Sequence, residues 1–417
     1  MVGKMIEEGS KGLREGIVAF SDTIGYIFLC LLVFFMGFSS AGIEIFFIFA
    51  LLVYAIRAIA KGDLKEIFTS SKLDLPILAF ILANIISYII NSFYSPEPIR
   101  YLFSRIGEYI MLYFLVIKAV NTEKRFKTIL AILLFSSCLI GISGVYQQFT
   151  GLDLLRHRPL VNSYMTSSFK HYNCFGGYLT LILPLSISIT LSTKIKRGYR
   201  ICTGILTLLL VYCLLSTYSR GAWIGVIFGL IFIFVYYYRN ATGLSSFKKL
   251  LIMFLIIALF IGISFILPNS IKQRAVSILK LESSGRLGRE GLYIKAIRLI
   301  NQSPFFGNGL ASYIYKSRSV WPHNSYIQMA VEVGLIGLFS FFWILIALFI
   351  VGVRNLRKDK DPFLLGILGG ILSFCVHCFF DSNLYWTQLA ISFWLMVGLV
   401  ISLDKIKYQN RFEYGFK

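Results

Sequence analysis

Charge is scarce in this chain, and negative charge is scarcer still. Asp, Glu, Lys and Arg make up 15% of the 417 residues, where a soluble domain carries roughly a quarter. With 57% hydrophobic residues and a mean hydropathy of +0.74, an ordinary soluble domain is excluded. The 20 acidic residues face 41 Lys and Arg, a formal charge of +21. In a chain this apolar that excess points to anionic lipid and not to nucleic acid. Six of the seven cysteines lie in apolar runs and only Cys174 approaches a polar loop, so no disulfide framework is implied. Cys375, His377 and Cys378 do not form a metal site, because on a helix positions 375 and 378 share a face that 377 does not. The sequence also lacks a fixed-period repeat, a low-complexity stretch and a soluble domain, and its outer loops lack a compact acidic cluster of the kind Mg²⁺ or Mn²⁺ needs.

Long apolar runs fill the remainder. A spanning helix needs about 20 apolar residues, and twelve segments qualify, near 22–38, 43–60, 75–93, 100–119, 127–147, 175–193, 200–217, 221–238, 250–267, 325–352, 363–380 and 384–403. The expected fold is all-α: residues 1–417 as one polytopic inner-membrane domain of about twelve transmembrane helices, with a long, partly helical loop at 268–324 between the ninth and tenth. The first run reads as a retained span and not a signal peptide. Cations sort onto alternate loops, 26 Lys and Arg on one side against 15 on the other. The basic side is cytoplasmic, which puts both termini inside and the 268–324 loop in the periplasm.

Two outer segments break that trend. The connection 148–174 carries Arg156, Arg158 and Lys170, and the 268–324 loop carries nine cations against Glu282 and Glu290. Long loops translocate despite charge and such cations can simply meet lipid headgroups; the sharper reading is a site for a polyanion. Within it, Gly285-Arg286-Leu287-Gly288-Arg289 opens a helical pattern in which Leu292, Tyr293, Ala296, Ile297 and Ile300 form an apolar face, with Lys295 and Arg298 on the wet side. Arginines at a helix start oppose the helix dipole unless an anion is bound there. Arg220 sits in a very short link between two apolar runs, and Gly221 beside it permits close approach of a ligand or backbone. His323 follows Pro322, which restricts the chain at the water boundary, where a neutral imidazole can accept a proton. Glu108, Glu332, Asp381 and His171 are weaker acid or base candidates.

These residues resemble a known family. His323-Asn324, nine residues, then Gly334-Leu335-Ile336-Gly337 is similar to the H-[NSQ]-x9-G-x-x-G signature of the O-antigen ligases and related polymerases. Ser219-Arg220-Gly221 resembles the family's S-R-G link, Gly288-Arg289 with Tyr293 its G-R-x-x-x-aromatic helix start, and Pro304-Phe305-Phe306-Gly307-Asn308-Gly309 its P-x-x-G-x-G turn. Tyr293 stands where tryptophan is usual, and Gly285-Arg286 offers a second Gly-Arg, so either arginine can be the equivalent one. The resemblance covers roughly residues 170–340.

The resemblance implies glycosyl transfer from undecaprenyl diphosphate to an acceptor hydroxyl on lipid A-core, at the periplasmic face of the bacterial inner membrane. Arg220 and Arg289, with Arg286 as helper, would hold the diphosphate, since guanidinium grips phosphate oxygens in pairs and stays charged when desolvated. His323 would be the general base of an inverting displacement and Asn324 would orient it. Arg156, Arg158, Lys170, Lys316 and Arg318 are expected to meet the acceptor's phosphates, Phe169-Lys170-His171-Tyr172-Asn173 resembles a family stretch before the sixth span that makes Asn173 a substrate-binding candidate, and neither metal nor other cofactor is expected. The alternatives are an O-antigen or exopolysaccharide polymerase using the same donor, and a twelve-span transporter. Against the transporter stand the absence of half-to-half similarity and of a long central cytoplasmic loop.

Overall fold

The structure, a computed structural model, describes residues 2–63, 68–91, 98–240, 289–317 and 321–414. In chain order the helices are α1 (Val2–Phe35), α2 (Ser40–Lys61), α3 (Asp74–Asn91), α4 (Pro98–Tyr101), a π-helical turn Leu102–Gly107, α5 (Glu108–Ala119), α6 (Glu123–Thr150), α7 (Tyr172–Leu191), α8 (Arg197–Ser216), α9 (Arg220–Asn240), α10 (Arg289–Gln302), α11 (Ser312–Ser317), α12 (Ser325–Asp359), α13 (Pro362–His377), a 3₁₀ turn Asn383–Tyr385 and α14 (Thr387–Tyr414). The all-α architecture follows directly from the apolar runs, because in lipid a helix satisfies every backbone polar group internally.

Nine helices among the described residues are long and apolar enough to cross a membrane, and α13 is apolar but shorter. The fourth expected segment forms as α4, the π turn and α5 in succession, and the ninth, 250–267, lies outside the described residues. The chain is thus a multi-pass helical membrane protein.

Two helices, α7 and α14, are enclosed by the others, with 89% of their apolar windows buried. Helix α13 packs on α7 and α9, α12 on α3, and α14 on α5. In a bilayer the drive for such packing is close fit, so small residues line the crossings. A Cβ on Gly370 would collide with the Leu181 carbonyl, and one on Gly225 with that of Ser373.

One end of the bundle is closed by ion pairs and caps. Lys72 meets Asp404 at 2.7 Å, Lys407 meets Asp361 at 2.8 Å and Arg125 meets Asp22 at 2.7 Å. Thr122 caps α6 and Asp361 caps α13.

The other end carries the irregular backbone. Helix α12 is broken at Gly334, whose φ of 74° and ψ of −177° leave the helical region. The turn Pro304–Gly309 supplies replacement partners there. Asn308 N–H donates to Val331 O at 2.8 Å and Gly309 N–H to Glu332 O at 3.1 Å, while Leu335 N–H donates to Pro304 O at 2.8 Å. Any Cβ on Gly307 would strike the Glu332 carbonyl, and one on Gly334 the Phe305 carbonyl. Two glycine motifs far apart in sequence are therefore the two halves of one backbone junction.

Candidate active site

The junction fixes the start of α12 and, with it, His323. Asn324 adopts extended backbone and its Oδ1 accepts from the N–H groups of Tyr326 and Ile327, both at 3.0 Å, so this amide oxygen caps the helix. His323 itself sits at φ 51°, a left-handed conformation costly for a non-glycine residue. Ser325 ties this start to the end of α13: its N–H donates to Cys378 O at 2.8 Å and its hydroxyl to Asp381 O at 3.0 Å.

That bracket sets His323 Nδ1 3.1 Å from Asp381 Oδ1. The Asp381 side chain is 7% exposed and that of His323 36%. Burial raises the Asp381 carboxyl, but the His323 hydrogen bond and charge, His377 and the Ser382 N–H outweigh it and hold the group below its ordinary value. An ionised Asp381 takes the Nδ1 proton of a neutral imidazole as its hydrogen bond, which leaves the Nε2 lone pair directed away from the carboxylate.

Two further segments meet the stretch 377–381. Ser219 Oγ lies 3.4 Å from His377 Nε2, and a Cβ on Gly221 would collide with Phe380 and His377. The Ser219-Arg220-Gly221 link is thus seated on the residues that lead into Asp381. Tyr218 turns at φ 55°, and Trp223 Nε1–H donates to Leu214 O at 2.9 Å, locking the corner from which half-buried Arg220 starts α9. His171 joins from α7, where its Nδ1 accepts from Asn173 N–H at 3.2 Å and its ring lies 4.0 Å from that of Tyr172. Burial lowers the His171 pKa; nearby Asp381 opposes this and His323 adds to it.

The cationic loop ahead of α7 is built around buried Asp153, whose carboxylate accepts from the N–H groups of Arg156 at 2.8 Å and Arg158 at 2.7 Å. Burial, followed by the neighbouring Arg156, lowers the Arg158 pKa. Arg156 and Lys170 are exposed. The loop reaches the site through Tyr164, stacked at 4.7 Å on Tyr218 and edge-on at 4.9 Å to Tyr172.

Arg289 opens α10, although its side chain and the whole of Arg286 lie outside the described residues. Helix α10 buries Leu292, Ala296 and Leu299, the last two in a cluster with Tyr313 and Val331. The apolar face is therefore rotated from the expected one: Ile297 is exposed, and Lys295 is half-buried with Nζ 3.5 Å from Ser317 O. Leu299 claims the buried stripe instead, because the face is set by the docking surface of α12.

Arg220, His323, Asn324 and Asn173 thus gather at one end, around a segment that the sequence alone ranked low. No spacing rule links His323 to Asp381, 58 positions apart. The only signal was an acidic residue in an otherwise uncharged outer connection.

Residues 205–342 match the family described as O-antigen ligase. That interval includes the Ser219-Arg220-Gly221 link, the glycine junction and His323. No curated protein matches the chain.

Proposed function

We propose that this chain, which belongs to the O-antigen ligase family through residues 205–342, transfers a glycan from undecaprenyl diphosphate to a hydroxyl of lipid A-core. The family is one of ligase- and polymerase-type membrane glycosyltransferases. The observation that carries the finer reading is the pairing of His323 with Asp381 on the same segment that seats Arg220.

In this scheme the acceptor hydroxyl attacks the anomeric carbon of the donor from the face opposite the diphosphate. Its proton passes to His323 Nε2 as the new C–O bond forms. The bond from carbon to the phosphate oxygen breaks, its electron pair leaves on undecaprenyl diphosphate, and the configuration inverts. Asp381 keeps the proton on Nδ1 and offsets the positive charge that grows on the imidazole, a positioning role. Arg220 and Arg289, with Arg286, meet the charge developing on the leaving diphosphate, and one preorganised donor of that kind contributes about 3 to 4 kcal/mol. A bound phosphate also relieves the conflict of an arginine at the positive end of α9. Arg156, Arg158 and Lys170 receive phosphates of the acceptor, and the steps call for no metal. The site end faces the periplasm, where no nucleotide sugar is supplied and a lipid diphosphate brings the activated leaving group with it.

The test uses purified protein, lipid-linked donor and rough core–lipid A. Glycan joined to lipid A-core, lost in His323→Ala, is the expected result. Elongation of the donor's own glycan, with or without core–lipid A, assigns the polymerase reaction instead. Substrate flux into proteoliposomes without a new glycosidic bond assigns transport. Activity that disappears on chelation and returns with a divalent ion contradicts the metal-free scheme.

A further inference from the structure

A second imidazole stands near Asp381, and the scheme above leaves it idle. His171 caps α7 from extended backbone, φ −147° and ψ 148°, and its Nδ1 accepts from Asn173 N–H at 3.2 Å. A ring nitrogen that accepts carries no proton, so the neutral ring holds its hydrogen on Nε2. The ring is half-buried, and its Nε2 makes no hydrogen bond among the described residues. Burial lowers the His171 pKa, and the positive end of α7 also disfavours a cation, so near neutral pH this side chain is an uncharged donor. His323 is arranged the other way round, with Nδ1 on Asp381 and a lone pair at Nε2. Two like groups are thus given opposite roles by their surroundings.

The first turns of α7 place that donor. A Cβ on Gly176 would lie 2.9 Å from the Ala222 Cβ and 3.1 Å from that of Ser219, so the start of α7 touches the start of α9 at the residues flanking Arg220 and Gly221. One residue on, a Cβ on Gly177 would lie 3.2 Å from Asn383 Oδ1, two positions past Asp381. The rings of Tyr172, Tyr164 and Tyr218 lead from His171 to the residue before the Ser219-Arg220 link. Helix α12 begins on the same 378–381 segment through Ser325. Three helices therefore bring their positive ends to one place, where a polyanion is favoured. In the transfer step the electron pair of the breaking C–O bond comes to rest on a phosphate oxygen. A neutral donor fixed there binds that oxygen more strongly as the charge grows, and it keeps its proton throughout. We infer that His171 is a further catalytic residue, its Nε2–H donating to an oxygen of the leaving diphosphate beside Arg220. The assignment rests on the reading of Arg220 as the partner of the diphosphate.

The full-length protein in nanodiscs is titrated with farnesyl diphosphate, a short polyprenyl diphosphate, and with farnesol as the phosphate-free probe. His171→Asn keeps a side chain that caps α7 but is too short to replace the Nε2 donor. It should raise the Kd for farnesyl diphosphate at least about tenfold and leave that for farnesol within about twofold. Transfer should lose about 10²-fold in kcat, the usual effect of removing one preorganised donor, with the acceptor KM within about twofold. Unchanged affinity for farnesyl diphosphate in folded His171→Asn overturns the assignment. A parallel loss for farnesol, which marks a structural role, overturns it too, as does a change confined to the acceptor KM. If this variant fails to fold, His171→Ser, which also caps, decides by the same criterion. Arg220→Ala is titrated alongside. Wild-type affinity for the diphosphate in Arg220→Ala removes the reading of Arg220, whereas a loss there with none in His171→Asn removes His171 alone.

Discussion

At the end of the bundle that carries Lys72, Asp361, Asp404 and Lys407, polar side chains pair with one another or cap helices in ordinary backbone conformations. At the end that carries His171, His323 and Asp381, a hydrogen-bonded histidine–aspartate pair sits on strained backbone beside a broken helix. Of the eight non-glycine residues with positive φ among those described, seven (His157, Asn162, Ser163, Ser167, Tyr218, Ala311 and His323) belong to the second end and only Lys360 to the first. Strain of this kind persists where surrounding contacts over-determine it, and it clusters at working sites. The two ends share one helical scaffold, so the difference separates what holds the fold from what the fold holds.

Damage to the two ends should therefore read out differently. His323→Gln should cut transfer by roughly 10²- to 10⁴-fold with the melting temperature little changed, the usual worth of a general base; wild-type turnover in this variant would erase the contrast. Arg220→Ala should follow at about 10²- to 10³-fold in kcat, measured at saturating acceptor. Gly334→Ala places a Cβ at φ 74° against the Phe305 carbonyl and should lower stability by about 1 to 3 kcal/mol, seen as a drop in thermal midpoint. The pH response sharpens the comparison further. The pKa of His171 is lowered in the folded protein, so its stabilising share is complete above the ordinary imidazole value and is lost as pH falls through the lowered one. His171→Asn keeps a helix cap and should flatten the fall in thermal midpoint on moving from neutral to mildly acidic pH. The smallest effect belongs to the other end: Lys72 is 52% exposed, and Lys72→Ala should cost no more than about 1 kcal/mol and leave transfer intact.

The parts of this contrast that were legible in sequence are the local ones. Apolar run length yields the helices, and the basic helix ends foretell the ion-paired end through Lys72, Arg125 and Lys407. His323, Arg220 and the glycines were visible because each breaks a local rule: an imidazole behind a proline, an arginine between two spans, Gly307 and Gly334 where a side chain would be expected. What stayed hidden needed contacts across the chain. Asp381 ranked low until α13 carried it to His323. The wetted side of α10 was misjudged at Ile297 for the same reason, since helical periodicity cannot tell which stripe a partner will cover.

The account depends on Asp381 acting through His323, and a double-mutant cycle on single-turnover glycan transfer addresses that directly. His323→Gln, Asp381→Asn and the pair are compared at saturating donor and acceptor. If the carboxylate works by holding the imidazole, Asp381→Asn is severe alone, by about 10²-fold or more, and adds nothing once His323 is gone. Losses that multiply in the double variant would mean that the two side chains serve separate ends, and the site as described would be wrong.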